Sequence, residues 1–263
     1  MEKDYTRLIQ DELARIEEEE GVRIVYACES GSRAWGFPSR DSDYDVRFLF
    51  IRPVEWYLSI TEKRDVIERP ISDLLDINGW DLRKVLRLFR KSNPPLLEWL
   101  QSRTVYQETG SAAEALRSLL PLTFSPKSCM YHYLNMARGN YRDYLQGERI
   151  RLKKYFYVLR PILACGWIEQ HNEMPPIAFE ELMKEILPLD GEVGKEVISL
   201  LERKRAGEEL DSAPPLKAIN DYLEEKIVYF EQAASAAPAV HEDTEQKLDI
   251  LFRELLTEAW QTD

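Results

Sequence analysis

The chain has 263 residues, of which 44% are apolar and 11% aromatic, so it can bury one large hydrophobic core or two smaller ones. Its formal charge of −12 argues against a long nucleic-acid duplex as a partner, although a local basic patch would suffice to bind a short acceptor. The apolar runs are far shorter than the ~18 residues of a membrane-spanning helix, and the N-terminus is charged, which predicts a cytoplasmic protein without a membrane partner.

The first two predicted elements are a helix and a buried strand. Apolar residues recur at helical spacing from Asp4 to Glu20, and Gly21 supplies a helix stop. The β-branched and aromatic residues of 23–28 are typical of a buried strand. This strand leads directly into a turn of small residues that begins at Gly31.

Two carboxylates follow the turn on a second predicted strand. Asp43 and Asp45 are separated by one residue in an apolar run, so they share one face of the strand with Arg47. Neighbouring carboxylates repel each other unless a cation lies between them, and hard divalent ions take oxygen ligands. For Arg47, the favoured interpretation is a salt bridge to one of the two carboxylates.

The small-residue turn gives the carboxylate pair a chemical use. Glycines let the backbone approach a phosphate closely, the N–H groups of such a turn can bind an anion, and Ser32 adds a hydroxyl donor. Mg²⁺ is typically held by one or two carboxylates together with substrate phosphates. The combination predicts metal-assisted phosphoryl or nucleotidyl transfer. Arg33, the next residue, is either a phosphate ligand or part of a surface salt bridge.

These motifs resemble a known superfamily. Gly31-Ser32 followed by Asp43-Tyr44-Asp45 is similar to the GS and DxD signature of the DNA polymerase beta-type nucleotidyltransferases. The strings GSRAWG, SRDSDYDVRF, NGWDLRK and NPPLLEWL resemble its bacterial branch that includes nucleotidyltransferases associated with RNA-ligase repair pathways. The resemblance is weaker in the second half, where KKYFYVLRPILA carries it. It implies an α/β (α+β) fold, in which a polymerase-beta-type sheet with flanking helices precedes an all-helical C-terminal domain.

The resemblance also implies a third carboxylate on a neighbouring strand, which acts as general base or metal ligand when the acceptor hydroxyl attacks. A strand over 71–78 would place Asp76 on its more polar face and Asp73 on the opposite face. Asp81 is better explained as a helix N-cap, because an amphipathic helix follows it. We therefore expect Asp76 to join the DxD pair; the alternative is a strand-end carboxylate without this role.

The second half of the chain is predicted to be helical, without strands. Amphipathic patterning predicts helices over 125–146, 152–170, 178–187, 192–206, 216–234 and 242–260. This suggests a catalytic domain over 1–108 and a helical substrate- or nucleotide-clamping domain over 109–263. In the latter, Lys153 and Lys154 lie beside aromatic residues, and the resemblance implies that such cations bind the triphosphate. The alternative is a helix with an aromatic core face and a basic rim.

Together with the resemblance, these features imply a Mg²⁺-dependent transfer of an NMP from an NTP to an acceptor hydroxyl, with release of pyrophosphate. Two Mg²⁺ ions are expected, with Mn²⁺ as a substitute, held by Asp43, Asp45 and Asp76. The residues expected to bind the nucleotide are Gly31, Ser32, Arg33, Lys153 and Lys154. The acceptor stays open among an RNA end, a protein and a small molecule. The second hypothesis is a catalytically silent nucleotide-binding regulatory or antitoxin-like interaction protein.

Overall fold

A five-stranded sheet forms the centre of the first half of the chain. The computed structural model describes residues 4–39, 42–71, 74–208, 210, 212–238 and 244–261. Within them the strands of this sheet are β1 (Arg23–Ser30), β2 (Tyr44–Ile51), β3 (Val66–Glu68), β4 (Leu75–Asp81) and β5 (Val105–Glu108), in the order β3-β4-β2-β1-β5. Only β2 and β4 pair in parallel within this sheet. The end of β1 therefore lies at the same edge as the starts of β2, β4 and β5.

Helices cover both faces of this sheet. Those of the first half are α1 (Tyr5–Glu20), α2 (Gly31–Ala34), α3 (Val54–Tyr57), α4 (Leu82–Arg90) and α5 (Pro94–Leu100). The Asp4 side chain accepts a hydrogen bond from the Arg7 N–H and begins α1, which ends at Gly21 with a φ of 59°. The α1 helix packs on one sheet face, and α4 and α5 belong to the core on the other.

The second half is helical; the helix over Ala112–Thr123 is not predicted, and the described helices after it follow the predicted ranges closely. The helices of this half are α6 (Ala112–Thr123), α7 (Pro126–Tyr144), α8 (Tyr155–His171), α9 (Phe179–Ile186), α10 (Glu192–Arg205), α11 (Lys217–Ala236) and α12 (Glu245–Trp260), with a 3₁₀ turn over Leu152–Lys154 before α8. The α/β (α+β) class, with a flanked sheet and C-terminal helices, is thus confirmed. None of the helices in the described ranges is long and apolar enough to cross a membrane.

The structure corrects three details of the sequence prediction. The helical half contains one short ladder, in which β6 (Ile150–Arg151) pairs with β7 (Ser212–Ala213), and two residues are too few to produce an alternating pattern. The strand β5 is not predicted either, because its two apolar residues, Val105 and Tyr106, are adjacent and so do not show the alternating pattern of a strand. The strand expected over 71–78 is β4, which runs on to Asp81, and Asp73 lies outside the described residues. Asp81 does cap α4, since its side chain accepts the Arg83 N–H at 2.9 Å.

Two hydrophobic clusters hold the fold together. The smaller lies between α1 and the sheet, whereas the larger continues from the opposite sheet face into the helices of the second half. The last helix, α12, returns to the first half, where the Trp260 indole donates to the Arg52 carbonyl at 3.0 Å. The division of the chain at residue 108 stays a prediction.

Candidate active site

The ends of three strands bring the predicted carboxylates to one edge of the sheet. In the β1–β2 ladder Ser30 lies opposite Asp45, and in the parallel β2–β4 ladder Asp45 lies opposite Asp76. Side chains of adjacent strands that are directly opposite point to the same face. Asp45 and Asp76 are therefore neighbours, and Asp43 precedes β2 at the same edge.

Gly31 packs directly against Asp45. Its φ is 61°, and an added Cβ would lie 1.9 Å from the Asp45 Oδ2 atom. Only glycine allows both the left-handed backbone and this close approach. The predicted small-residue turn is the short helix α2, which therefore begins in contact with a carboxylate and carries Ser32 as its second residue.

Arg47 lies between Asp45 and Asp76. Its Nη2 atom is 2.8 Å from Asp76 Oδ2 and 3.4 Å from Asp45 Oδ1, which confirms the predicted salt bridge. Its Nη1 atom donates to the Asp76 carbonyl at 2.9 Å. No group of three His, Cys, Asp or Glu side chains arranged to hold a metal occurs among the described residues. The Arg47 guanidinium lies between the Asp45 and Asp76 carboxylates, where a metal ion bound by both would have to lie.

The electrostatics of Asp45 suit a hard cation. Burial raises the pKa of Asp45, Arg47 opposes this shift, and the Asp76 and Asp43 carboxylates reinforce it. A partly desolvated carboxylate beside two others is stabilised by a nearby divalent ion, and Mg²⁺ prefers such oxygen donors. Asp43 and Asp45 therefore fit as its ligands, whereas Asp76 would first have to be released by Arg47.

The buried Glu29 side chain, on β1, forms a hydrogen bond with the backbone at the start of β2. Its side chain is 2% exposed, and Oε1 accepts the Asp45 N–H at 2.9 Å. Oε2 accepts the Tyr106 hydroxyl, which comes from β5. Burial raises the pKa of Glu29, and the two hydrogen bonds oppose the rise. The contact with Tyr106 has no signal in the sequence, because the two residues meet only through the β1–β5 pairing.

A cavity of about 350 Å³ opens beside Asp43 and Asp45. Its walls come from α2, the loop before β2, the 3₁₀ turn, α8 and the end of α10. Besides Asp43, Asp45 and a third carboxylate, Glu208, it is lined by hydroxyl, ammonium and aromatic groups, including Ser32, Ser42, Lys153, Lys204, Trp35, Phe37, Phe156 and Tyr157. The cavity thus combines groups that can bind a cation, phosphates and an aromatic base.

Three of the residues predicted to bind nucleotide, Gly31, Arg33 and Lys154, do not line this cavity. The Arg33 Nε and Nη2 atoms donate to the Asp43 and Ser42 carbonyls at 3.1 and 2.9 Å, and its guanidinium lies 3.7 Å from the Tyr44 ring centroid. Arg33 therefore fixes the loop that carries Asp43. Lys154 does not line the cavity and instead lies over the rings of Tyr144 and Tyr157.

Lys204 takes the place beside Lys153 that the sequence prediction gives to Lys154. Both line the cavity, and neither forms an ion pair within the part of the chain that the structure describes. Burial lowers the pKa of Lys204, and the neighbouring Lys153 lowers it further. In the sequence, Lys204 is one of three consecutive cations at the end of α10, which gives no signal of its role.

A buried ion pair stabilises the wall beneath the cavity. Arg160 Nη1 lies 2.7 Å from Glu98 Oε1, and the Tyr133 hydroxyl donates to the same oxygen. The guanidinium is 5.1 Å from the ring centroid of Trp35, which lines the cavity. Arg160 therefore connects α8 and α5 with the residue that follows α2, and Glu98 already balances its charge.

Comparisons with known proteins identify what this chain is similar to. The model of the family described as "RlaP: RNA repair pathway DNA polymerase beta family" matches residues 6–254. The chain is 55% identical over 252 residues to "Uncharacterized protein YcgL" of Bacillus subtilis (strain 168), covering 96% of each sequence. A crystal structure of a nucleotidyltransferase-like protein from Exiguobacterium sibiricum 255-15 aligns with 95% of this chain and 89% of that chain, at 13% identity and a TM-score of 0.34.

Proposed function

Since the chain belongs to the RNA repair pathway DNA polymerase beta family, which is of the polymerase beta nucleotidyltransferase type, we propose that it transfers a nucleoside monophosphate from an NTP to an acceptor hydroxyl. The observation that supports this most directly is the placement of Asp45. It lies opposite Asp76 in the sheet, follows Asp43, and packs against the Gly31 backbone at the edge of a cavity that contains two lysines.

In this proposal Asp43 and Asp45 hold Mg²⁺, for which Mn²⁺ can substitute. Bound there, the ions would balance the charge of the phosphates and stabilise the attacking and leaving oxygens. The Ser32 hydroxyl and the backbone N–H groups of the turn donate to the phosphates. Lys153 and Lys204 bind the terminal phosphates, because both ammonium groups line the cavity and neither forms an ion pair with a carboxylate of the described residues.

The transfer step forms a bond between the acceptor oxygen and the α-phosphorus and breaks the bond from that phosphorus to the β-phosphate bridging oxygen. Pyrophosphate leaves, and Asp76 accepts the hydroxyl proton. The Asp76 side chain is 33% exposed, so a hydroxyl can reach it from solvent. Arg47 orients the Asp76 carboxylate and balances its charge before the proton arrives.

An RNA end is the acceptor that we favour over a protein or a small molecule. The description of the matching family places it in an RNA repair pathway. A short single strand also needs only a local binding surface, which a chain with a net charge of −12 can still provide.

Titration calorimetry of ATP, GTP, CTP and UTP, with and without Mg²⁺, tests the nucleotide site. We expect one of them to bind the wild type in a Mg²⁺-dependent manner and the Asp43→Asn/Asp45→Asn variant to lose at least about tenfold in affinity. Asp221→Asn, which changes a carboxylate on α11, serves as the control. Equal binding by the double variant and the wild type would refute the assignment of the carboxylate pair.

A catalytically silent nucleotide-binding protein is the second candidate, and the position of Arg47 favours it. The guanidinium forms ion pairs with both Asp76 and Asp45 and so balances their charge from within the chain. Acceptor-dependent release of pyrophosphate separates the two candidates, because only the enzyme produces it. An enzyme should lose this release in Asp76→Asn while keeping the affinity for the NTP.

A further inference from the structure

A lysine between two exposed tyrosines lies next to the candidate active site. The Lys154 Nζ atom is 4.0 Å from the ring centroid of Tyr144 and 4.8 Å from that of Tyr157. The two tyrosines remain 40% and 41% exposed. We name Tyr144, Lys154 and Tyr157 the cation–aromatic platform. Such an arrangement presents flat aromatic surface and positive charge to solvent at one place.

The platform is held by fixed backbone. Tyr144 ends α7, Lys154 ends the 3₁₀ turn, and Tyr157 belongs to the first turn of α8. The Asn140 side-chain amide donates to the Tyr157 carbonyl at 3.0 Å and thereby ties α7 to α8. No ion pair neutralises Lys154 within the described part of the chain. The lysine is therefore available to an anionic ligand.

Tyr157 connects the platform to the catalytic carboxylates. It lines the same cavity as Asp43 and Asp45, and its ring meets that of Trp35 edge-on at a centroid distance of 5.5 Å. Burial raises the pKa of Tyr157, and the nearby Asp45 and Asp43 carboxylates contribute to the rise. Tyr144 and Lys154 do not line the cavity. The platform thus extends outward from the edge of the cavity.

We propose that the cation–aromatic platform binds the terminal nucleobases of a single-stranded RNA acceptor. Any base can stack on an aromatic ring because every base has a π face, and a lysine beside the ring can contact the connecting phosphate. Binding there would direct the terminal hydroxyl toward Asp43, Asp45 and Asp76. This inference rests on the proposed function, since it names the acceptor of that reaction and where it binds.

The position of the platform distinguishes the acceptor from the incoming nucleotide. Inside the cavity, Lys153 and Lys204 are available for the phosphates of the NTP, and the half-buried Trp35 supplies aromatic surface. The platform offers a second aromatic surface outside that space. A reaction with two substrates requires two such places, and the outer one is accessible to a polymer.

Fluorescence anisotropy with labelled short oligo(A) and oligo(U) RNA carrying free terminal hydroxyls tests this assignment. Tyr144→Leu removes the ring but keeps an apolar side chain, and Lys154→Gln removes the charge. We expect Tyr144→Leu to weaken RNA binding by about tenfold and Lys154→Gln to weaken it too. Neither substitution should change the affinity for an NTP. Both side chains are partly exposed, so the thermal midpoint should stay near that of the wild type.

The chain offers a matched control on α11. There the Lys226 Nζ atom lies 5.3 Å from the Tyr229 ring centroid and 5.8 Å from that of Tyr222, and Tyr229 is 47% exposed. This similar cluster does not line the catalytic cavity. Tyr229→Leu should therefore leave RNA binding unchanged.

The remaining outcomes separate this inference from the proposed function. Unchanged RNA binding in both platform variants, or no RNA binding by the wild type, would overturn the platform assignment. The proposed function would still stand in that case if the wild type binds an NTP in a Mg²⁺-dependent manner. A loss of NTP affinity with RNA binding intact would also overturn it and assign the platform to the base of the NTP. If the wild type binds RNA but no NTP, the proposed function fails, and loss of RNA binding in Tyr144→Leu still supports the platform.

Discussion

At Gly31 the backbone is left-handed, with a φ of 61°, and a Cβ would lie 1.9 Å from Asp45 Oδ2. We expect Gly31→Ala to lower the free energy of unfolding by about 1–2 kcal/mol because of the backbone conformation. The collision should also displace the Asp45 carboxylate and weaken Mg²⁺-dependent NTP binding. Denaturant unfolding and calorimetry measure the two effects separately.

Gly36 supplies the control for this substitution. Its φ is 86°, but among the described residues no atom beyond its two chain neighbours lies within 4 Å of the position that a Cβ would occupy. Gly36→Ala should therefore destabilise the chain to a similar degree and leave NTP binding intact. Equal losses of NTP affinity in both variants would show that contact with Asp45 is not what makes Gly31 necessary.

Lys204 gives the site a characteristic pH dependence. Burial and the adjacent Lys153 lower the pKa of Lys204, so it loses its proton at a lower pH than an ordinary lysine does. The other charged groups lining the cavity are Asp43, Asp45, Lys153 and Glu208. Affinity for inorganic tripolyphosphate should therefore fall as the pH rises, starting below the usual lysine range. The free energy of unfolding should instead rise with pH over the same range. Lys204 loses its proton at a lower pH in the folded state than in the unfolded state, so the unfolded state binds more protons in this range.

Substitution of Lys204 isolates its contribution. Arginine stays charged throughout the accessible pH range, so Lys204→Arg should retain tripolyphosphate affinity at alkaline pH, where the wild type loses it. Lys204→Gln should bind tripolyphosphate about tenfold more weakly at neutral pH, since a charge-assisted hydrogen bond is removed. Calorimetry across the pH range measures all three proteins. Parallel pH profiles for wild type and Lys204→Arg would argue that another group controls the dependence.

At the scale of elements, two ion pairs of equal length join the sheet half to the helical half. Arg160–Glu98 and Arg103–Glu181 are both 2.7 Å long, but their side chains are 3% and 15% exposed in the first pair and 81% and 46% in the second. Arg160→Met should lower the free energy of unfolding by about 3–5 kcal/mol, because it leaves the largely buried Glu98 carboxylate without its cation and with only the Tyr133 hydroxyl as a partner. Arg103→Met should lower it by under ~1 kcal/mol. Urea unfolding compares them, and equal small losses would mean that Glu98 is solvated after the substitution.

Local signals explain why most element bounds could be predicted. Asp4 and Gly21 cap α1, and Asn93 accepts the Leu96 N–H at the start of α5, so each boundary is encoded in a few adjacent residues. The strand β5 escapes prediction because its pairing with β1 joins distant residues, such as Cys28 and Val105. Short strands carry little periodicity of their own, and the register comes from the whole sheet.

The same contrast applies to the candidate site. Gly31 and the DxD carboxylates lie within one short stretch, so the sequence is enough to predict metal-assisted chemistry there. Alternation along the strand also favours Asp76, but only the parallel β2–β4 register places it opposite Asp45. Lys204 and Tyr106 cannot be found in this way, because they reach the site through the packing of α10 and the pairing of β5. Their roles depend on the tertiary structure.

At the scale of the whole molecule, the larger hydrophobic cluster crosses the predicted boundary at residue 108. It contains Tyr26 and Leu97 from the first half together with Tyr133 and Phe156 from the second. The chain also crosses back, because α12 packs on α4 and the Trp260 indole donates to the Arg52 carbonyl at 3.0 Å. Neither half can unfold without exposing apolar surface of the other.

We therefore expect the full chain to unfold in a single cooperative transition. Chains of this length often unfold in several steps, but a shared core makes the stability of each half depend on the other. Differential scanning calorimetry should give a calorimetric enthalpy equal to the van 't Hoff enthalpy. Saturating NTP with Mg²⁺ should shift that one transition upward as a whole, because the cavity is lined by residues of both halves. Two resolved transitions, of which the ligand shifts only one, would instead support independent folding units on either side of residue 108.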